Sequence, residues 1–448
     1  MANFVPSERS ITSSRQLQGT LNSPLLMLLV AFTIRMAAMA YMQSFQIPLN
    51  DDSYNFGYET GRIARSIASG QGFSSPLHGS SGPTAWLPPV YPYLLAGIFK
   101  IFGIYSHNSA LIAFAINSVF SALTCLTIFS IGCKTFGPKV AAWAGWSWAF
   151  FPYAVFWSVG WVWAISLSAF LFSLAFLVAL YLEHCAGLRA WLGFGLLWGL
   201  IALTDTALLS TLPFFVGWLC YRLRQQRMPL SRAIGAFTVA LVLVLSPWLV
   251  RNYLTFGEFI FIRSNFGVEL HLGNYEGATG LSAGRLLHPA GNERELEKLR
   301  RMGELAYVAE SKRQALQFIV AQPGTFIWLT LKRVMYFWTG NPQLLQIFRL
   351  SGRFVAARYV LFTLVSVLAF VGLFLAFRNH NPAVPLFAIL LLVFPLIYYV
   401  THPTPRYRHP IEPAMVLLGV YAMANIPSKL PLRRWAVGGN STDCASPI

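Results

Sequence analysis

Five carboxylates stand where they could do chemistry. Asp51 and Asp52 are adjacent, Glu59 follows shortly after them, and Asp205 and Glu412 each lie among apolar residues. A carboxylate close to lipid costs on the order of several kcal/mol unless it is paired or used, so acids in apolar surroundings point to a site. The chemistry that such groups support is general base catalysis, in which a carboxylate takes the proton of an attacking hydroxyl.

Four basic residues could complement these acids. Arg251, Arg406 and Arg408 each stand at the end of an apolar segment, and His409 directly follows the last of them. The forked donors of arginine match phosphate oxygens, so these side chains could neutralise charge on a leaving phosphate, and His409 could also meet it. Snorkelling to lipid headgroups is the alternative for each arginine, and a polar helix end for His409. Asp205 is then either an orienter of an arginine or a turn residue.

Two aromatic residues complete the list of candidates, and the spacing of Arg408 and Glu412 indicates a role for that acid. Trp86 and Tyr91 flank a proline-rich stretch, and each could stack on a sugar or anchor the chain at the membrane interface. Glu412 stands at i,i+4 from Arg408, a spacing that favours an ion pair over a chemical role for this acid.

Membrane-spanning helices must position these residues. Hydrophobic residues make up 56% and charged residues 11% of the 448-residue chain, against roughly 25% charged in a soluble domain. Because so few charges cannot cover a water-facing surface, lipid must solvate most of the chain. The net charge of +17 then indicates basic cytoplasmic loops and an anionic lipid or lipid-linked ligand, and not a nucleic acid.

Apolar segments predict about ten spans, since a spanning helix needs about 20 apolar residues. These segments are 21–43, 108–133, 140–160, 161–182, 190–204, 206–221, 233–250, 359–377, 383–401 and 409–426. Four arginines crowd the loop 222–232, so the positive-inside rule places that loop and both termini in the cytoplasm. The segment 318–339 carries Lys332 and Arg333 at its centre and is predicted to lie on the membrane as an amphipathic helix.

The predicted fold class is an all-α polytopic membrane protein with about ten transmembrane helices, interfacial helices in the first outer loop and a mostly helical outer segment. The predicted parts are a cytoplasmic tail 1–20, a transmembrane catalytic module 21–253 that includes the outer loop 44–107, an outer-face loop 254–353 with amphipathic helices, C-terminal transmembrane helices 354–426 and a cytoplasmic tail 427–448.

The first outer loop is too structured to be a mere connector. Ile63, Ala64 and Ile67 share one helical face, which predicts a short amphipathic helix that ends near Gly70. Prolines stiffen the stretch 83–92, and 93–103 is predicted as another interfacial helix. By contrast, the eight glutamates between 258 and 310 are interpreted as solvated, with a charged surface helix over 292–313.

The order of these motifs resembles the C-type integral-membrane glycosyltransferases, in particular the protein-mannosyltransferase and aminoarabinose-transferase relatives of glycosyltransferase family 39. The motifs are Asn50-Asp51-Asp52-Ser53-Tyr54, Gly70-Gln71-Gly72-Phe73, Pro83-Thr84-Ala85, Pro88-Pro89-Val90-Tyr91-Pro92, Pro247-Trp248-Leu249-Val250-Arg251-Asn252-Tyr253, Gly273-Asn274, Pro323 through Trp338, and Arg406-Tyr407-Arg408-His409-Pro410. The resemblance covers most of residues 20–426, and it rests on the order and sidedness of the motifs together.

The resemblance implies an enzyme that takes a sugar from a polyprenyl-phosphate-linked donor in the outer leaflet, with a carboxylate of the first outer loop as general base. The acid pair stands further from Ala64 than in typical members, so the base is Asp51, Asp52 or Glu59. The implied partners are this donor, a lipid, glycan or protein acceptor, and membrane lipids. The implied location is a bacterial inner membrane, with the active site facing the periplasm or exterior.

No cofactor is predicted. The cysteines and histidines show no zinc-ligand spacing, although a divalent ion at the Asp51–Asp52 pair remains open. Two other functions also remain open, namely a transporter or flippase of a lipid-linked sugar and a polyprenyl-diphosphate glycan ligase or polymerase. The uncharged central spans argue against transport, and the acid-rich first loop argues against the ligase.

Overall fold

The computed structural model describes residues 23–47, 56–340 and 352–425, with side chains from 357 onward in the last range. The regular structure of these residues is helical, and their one extended pairing is an isolated bridge between Ser74 and Pro83. The predicted acid pair Asp51–Asp52 and both predicted tails lie outside the described residues.

The helices are bounded as follows. The first ten are α1 Pro24–Met42, α2 Glu59–Ala68, α3 Val90–Phe102, α4 His107–Thr135, α5 Pro138–Ala149, α6 Pro152–Val159, α7 Ile165–Leu182, α8 Leu188–Ala202, α9 Leu212–Gln225 and α10 Leu230–Phe256. The others are α11 Phe266–Gly273, α12 Gly284–Leu287, α13 Glu293–Met302, α14 Glu304–Ala321, α15 Pro323–Thr339, α16 Gly352–Arg378, α17 Val384–Ala388, α18 Leu396–Val400 and α19 Glu412–Asn425. Short 3₁₀ helices span Thr206–Thr211 and Pro405–Ile411, and a π-helical turn spans Ile389–Val393.

Six helical segments of the described residues are long and apolar enough to cross a membrane. They are Pro24–Met42, His107–Thr135, Ile165–Leu182, Thr206–Gln225, Leu230–Phe256 and Ala357–Arg378. Shorter apolar helices cover Leu188–Ala202 and Val384–Val400. The prediction of an all-α integral membrane protein is therefore confirmed, whereas the count of about ten spans stays a prediction.

The predicted span 140–160 consists of two helices, because the chain bends between α5 and α6 at Phe150. Arg35 of α1 occupies this bend. Its Nη1 donates to the carbonyl of Ala149 at 3.1 Å and its Nη2 to that of Trp148 at 3.3 Å. Carbonyls at a helix end have no partner within the helix, so this buried arginine satisfies them and stabilises the break.

Small residues allow close packing between spans, as is usual in membranes. A side chain at Gly195 of α8 would collide with the carbonyl of Phe237 in α10, and one at Gly372 of α16 would collide with that of Leu418 in α19. The aromatic side chains of the core fill the space between the remaining helices.

Three segments, 56–106, 257–340 and 401–411, meet at one end of the helical bundle. Glu304 joins the first two, because its carboxylate accepts hydrogen bonds from Thr84 Oγ1 at 2.5 Å, Ala85 N at 2.9 Å and Ser264 Oγ at 2.6 Å. Burial raises the pKa of Glu304, and the three hydrogen bonds oppose that rise. The helix α9 carries Arg222 and Arg224 in its last turn.

Two predictions for the outer segment change in detail. The charged helix predicted over 292–313 is two helices, α13 and α14, because Gly303 between them has a φ of 80°. The predicted amphipathic helix 318–339 begins afresh at Pro323. The helix α15 exposes Ile327, Trp328 and Leu331 while it buries Arg333, and its position on the membrane surface stays a prediction.

Candidate active site

Two adjoining cavities lie where these three segments meet. The first has a volume of about 670 Å³ and the second about 450 Å³. Both are within the size range of small-molecule sites. Five residues line both cavities, and we call them the shared wall. They are Glu59, Trp163, Glu269, Arg406 and Tyr407.

The two cavities differ in chemical character. Beyond the shared wall, the lining of the first mixes apolar side chains, among them Trp157, Trp161, Leu272 and Leu281, with hydroxyl, imidazole and guanidinium groups, which belong to Tyr58, Tyr275, Thr279, Ser282, Arg285, His288 and His402. The second is mostly apolar, with Leu87, Tyr91, Ile165, Leu209, Phe261, Phe266, Ile397 and Tyr398. Phe261 is 52% and Phe266 43% exposed, so the second cavity opens beside an apolar surface. Its charged members outside the shared wall are Asp205 and Arg263.

Glu269 lies on α11 and is held from three sides. Its Oε1 is 3.5 Å from Arg263 Nη2 and accepts a hydrogen bond from Asn265 Nδ2 at 3.1 Å. Its Oε2 is 3.5 Å from Nε2 of His402. Burial raises the pKa of Glu269, but His402 and Arg263 lower it, and the net direction is down. The carboxylate is therefore ionised at neutral pH.

His402 behaves differently. Burial lowers the pKa of its imidazole, and the neighbouring Glu269 only partly offsets this, so the net direction is down. Because the histidine is mainly neutral at neutral pH, Arg263 supplies the permanent positive charge beside Glu269.

Arg333 of α15 explains why α11 sits where it does. Its Nη1 donates to the carbonyls of Tyr399 at 3.2 Å and Val400 at 3.0 Å, and its Nη2 donates to Gly273 O and, at 3.1 Å, to Asn274 Oδ1. One buried side chain thus ties the end of α11 to the end of α18. This contact fixes the distance between Glu269 and the segment that carries His402 and Arg406.

Glu59 begins α2 and faces the same cavities. Its Oε1 lies 3.8 Å from Nε2 of His288. The preceding Tyr58 donates from its hydroxyl to the carbonyl of Ala290 at 3.2 Å. Asp51 and Asp52 lie outside the described residues, and Tyr58 lines the first cavity.

Gly57 fixes how the chain enters the site. It has a φ of 74°, and a Cβ atom there would collide with the ring of Trp163 and the carbonyl of Val162. Only glycine adopts this conformation readily. The loop before α2 is therefore packed directly against the shared wall.

Arg406 lies in the 3₁₀ segment Pro405–Ile411. Its guanidinium carbon is 4.1 Å from the ring centroid of Trp163 and 5.1 Å from that of Tyr407. Its Nη2 donates to the hydroxyl of Tyr407 at 3.5 Å, and a flat guanidinium can both stack on an aromatic ring and contact an anion through its edge. Asp205, whose Oδ1 accepts from Ala207 N at 3.2 Å, caps the 3₁₀ helix Thr206–Thr211 and lines the second cavity.

Some predicted site residues lie elsewhere. Arg251 lies outside the lining of both cavities and donates to the carbonyls of Thr84 at 2.7 Å and Phe73 at 2.9 Å. It thereby fastens the first outer loop to α10. Trp86 is buried and packs against His288 at 5.7 Å between ring centroids.

The predicted pairing of Arg408 with Glu412 is present. Nη2 of Arg408 is 2.8 Å from Oε1 of Glu412, and Nδ1 of His409 is 2.6 Å from Oε2. All three side chains are buried outside the cavity linings. Tyr91 does line the second cavity, and its hydroxyl donates to Asn117 Oδ1 at 2.9 Å.

Sequence reasoning missed Glu269, Arg263, His402 and Tyr407 as site residues. A signal was available for the first of them. Glu269 is the lone acid in the mainly apolar run from Phe266 to Leu272. Most of the other acids between 258 and 310 lie in the charged helices α13 and α14, where further charged residues surround them. An acid isolated in an apolar helix needs a partner or a role.

Among the described residues, no group of three or more His, Cys, Asp or Glu side chains is arranged to hold a metal ion. The acid pair at which the sequence leaves a divalent ion open lies outside these residues.

Comparison with known proteins decides the fold. No protein-family model and no curated protein matches the chain by sequence. The crystal structure of the Archaeoglobus fulgidus oligosaccharyltransferase in the apo form matches with a TM-score of 0.52 at 16% identity, over 90% of this chain and 50% of that one. The two proteins share a fold. The resemblance to the C-type integral-membrane glycosyltransferases is thereby confirmed at the level of the fold.

Two further structures are similar. The archaeal oligosaccharyltransferase AglB from Archaeoglobus fulgidus, in complex with an inhibitory peptide and a dolichol-phosphate, matches at 16% identity and a TM-score of 0.49, over 90% of this chain and 50% of that one. ArnT from Cupriavidus metallidurans, bound to undecaprenyl phosphate, matches at 15% identity and a TM-score of 0.40, over 89% and 77%. The chain thus spans about half the length of the oligosaccharyltransferase structures.

Proposed function

We propose that the protein is a glycosyltransferase that moves a sugar from a polyprenyl-phosphate-linked donor to an acceptor hydroxyl. One observation carries the proposal. The shared wall places two carboxylates, Glu59 and Glu269, and one arginine, Arg406, between a mostly apolar cavity and one with more polar groups. A lipid-linked sugar needs such a junction, and the shared fold with an oligosaccharyltransferase supports this assignment.

The second cavity suits the lipid part of the donor. Its lining is mostly apolar, and it opens beside the exposed rings of Phe261 and Phe266. A polyprenyl chain in this cavity would bring its phosphate to Arg406 and Arg263. Two guanidinium groups can neutralise the charge that grows on the phosphate as it leaves, which lowers the barrier to transfer. In this arrangement Asp205 orients the arginines.

The proposed reaction is a single displacement. The oxygen of the acceptor hydroxyl forms a bond to the anomeric carbon of the sugar, and the bond from that carbon to the phosphate oxygen breaks. The carboxylate base takes the hydroxyl proton, and polyprenyl phosphate leaves. The cavities supply positioning, and the arginines supply charge stabilisation.

The base is Asp51, Asp52 or Glu59. Among the carboxylates described at the cavities, Glu59 has a weak ionic contact, 3.8 Å from His288. Glu269 is held closer, at 3.5 Å from both Arg263 and His402. We therefore assign Glu269 to orienting the phosphate-binding arginine rather than to proton transfer.

The remaining predicted residues hold the site in place rather than take part in the reaction. The contacts of Arg251, Arg408 and His409 support positioning roles, and Tyr91 forms part of the wall of the second cavity. The arginine-rich loop 222–232 is expected in the cytoplasm, on the side opposite the cavities. The cavities would then face the periplasm of a bacterial inner membrane.

The test uses the full chain in lipid nanodiscs. Release of polyprenyl phosphate from polyprenyl-phosphate hexose and pentose donors is measured with mixed lipid, glycan and peptide acceptors. Asp51→Asn, Asp52→Asn, Glu59→Gln and Glu269→Gln are compared with Glu297→Gln, which changes an exposed glutamate of α13. We expect one of the first three variants to lose on the order of 100-fold or more in rate.

Full transfer by all three outer-loop variants would rule out the carboxylate base. A wild-type protein that moves the intact lipid-linked sugar across a vesicle membrane without releasing polyprenyl phosphate would instead establish the flippase alternative.

A further inference from the structure

Three tryptophans cluster at the first cavity. Trp157 lies in α6, and Trp161 and Trp163 lie in the short stretch that joins α6 to α7. Their rings touch, with centroids 5.6 Å apart for the first pair and 4.7 Å for the second. All three line the first cavity, and Trp163 alone also belongs to the shared wall. Tryptophans at a membrane face usually serve as interfacial anchors, but these three line a cavity that also holds hydroxyl, imidazole and guanidinium groups.

The three rings are not equivalent. Trp157 is 1% and Trp163 8% exposed, while Trp161 is partly exposed. Arg406 covers Trp163 at 4.1 Å. The ring of Trp161 is therefore the one that can present surface to a molecule in the cavity.

Polar groups of the 257–340 segment line the same cavity as this aromatic surface. Tyr275, Ser282, Arg285 and His288 line the first cavity together with Trp161. A sugar ring matches this combination, because it presents C–H bonds on its face and hydroxyl groups around its rim. An aromatic ring can pack on the face, and hydroxyl, guanidinium and imidazole groups can bond the rim.

We propose that the first cavity is a saccharide-binding site, in which a sugar ring of the acceptor packs on Trp161. The acceptor is then a glycan or a glycosylated lipid. One step of this proposal, the assignment of the second cavity to the lipid donor, rests on the proposed function. Because the second cavity holds the lipid donor up to the shared wall, the first cavity is left for the acceptor.

Binding is measured with the full chain in nanodiscs, on arrays of defined oligosaccharides and of peptides. Trp161→Ala and Trp161→Leu remove the aromatic face, and Trp161→Leu keeps apolar bulk in case the alanine variant does not fold. Trp161→Phe restores a ring. The matched control is Trp328→Ala, which removes a 58% exposed tryptophan of α15 outside both cavities.

We expect the wild type to bind saccharides, and both non-aromatic variants to bind them on the order of tenfold more weakly. Trp161→Phe should retain most of the affinity, and Trp328→Ala should equal the wild type. Absent saccharide binding, binding that ignores Trp161, or binding of peptides alone overturns the proposal.

A second measurement separates this proposal from the proposed function. Release of polyprenyl phosphate from the donor without added acceptor, in which water takes the place of the acceptor hydroxyl, depends on the shared wall and is measured for the wild type and for Trp328→Ala, which should be equal. Saccharide binding without any donor turnover would refute the proposed function alone. Donor turnover without Trp161-dependent saccharide binding would refute the saccharide site alone.

Discussion

Oε2 of Glu269 lies 3.5 Å from Nε2 of His402, and this contact joins α11 to the segment after α18. Both groups have a pKa below the ordinary value. A group whose pKa falls on folding stabilises the native state above its unfolded pKa, and this contribution is lost as the pH drops through the folded pKa. We expect stability to decline on acidification, first below the ordinary pKa of His402, 6.5, and further below that of Glu269, 4.5.

Thermal unfolding in nanodiscs from about pH 8 to about pH 4 checks this expectation. His402→Asn should flatten the first part of the decline. His184→Asn is the control, because the side chain of His184 is 63% exposed. An equal acid response of both variants and the wild type would contradict the role assigned to the contact.

Substitutions of Arg406 can separate the effect of its positive charge on donor turnover from the effect of its flat shape. Arg406→Lys keeps the positive charge but loses the flat group that stacks on Trp163 at 4.1 Å. We expect Arg406→Gln to reduce the rate of donor turnover about 100-fold, since one lost charge-stabilising donor costs that much in comparable sites. Arg406→Lys should recover only part of it. Steady-state kinetics with a fixed acceptor measure both, and Arg301→Gln on α13 serves as the surface control.

Gly57 tests whether the loop before α2 must touch the shared wall. Gly57→Ala places a Cβ against Trp163 and should abolish most donor turnover, because Tyr58 and Glu59 have to shift. Gly82→Ala is a close control. Gly82 has a φ of 77°, near the 74° of Gly57, but nothing lies within 4 Å of its added Cβ. Both variants carry a backbone cost of about 1–2 kcal/mol, so equal activity losses would show that the wall contact does not matter.

The buried ion pair between Arg408 and Glu412 is expected to contribute to stability and to take no part in the reaction. Glu412→Gln leaves the buried guanidinium uncompensated and should cost about 3–5 kcal/mol of unfolding free energy. The double variant Arg408→Met, Glu412→Leu removes both charges and should lose less than the single one. Unfolding by denaturant in detergent measures both variants, and a double variant that is the less stable of the two would refute the expectation.

The six long apolar helices could be predicted because apolar length indicates them, and the other four predicted spans stay predictions. Breaks within a span could not, as the bend at Phe150 shows. Arg35, far away in the chain, supplies the donors that make the bend stable. Such a contact has no local pattern.

The sequence predicted those site residues that stand out locally and missed others, one of which depends on distant contacts. Glu59, Asp205, Tyr91 and Arg406 stand out by type and position, and the structure places all four in the cavity linings. Glu269 was missed because the neighbouring sequence is rich in solvated acids. Its place at the cavities follows from long-range contacts such as those of Arg333, which joins α11 to α18 through backbone carbonyls and leaves no trace in residue spacing.

The shared wall has a thermodynamic consequence. Glu59, Trp163, Glu269, Arg406 and Tyr407 contribute to both linings, so a ligand that shifts any of them in one cavity changes the free energy of binding in the other. Such coupling is reciprocal by linkage. If the ligand in the first cavity changes the affinity of the second cavity by some factor, the ligand in the second cavity changes the affinity of the first by the same factor. The order of binding does not alter this.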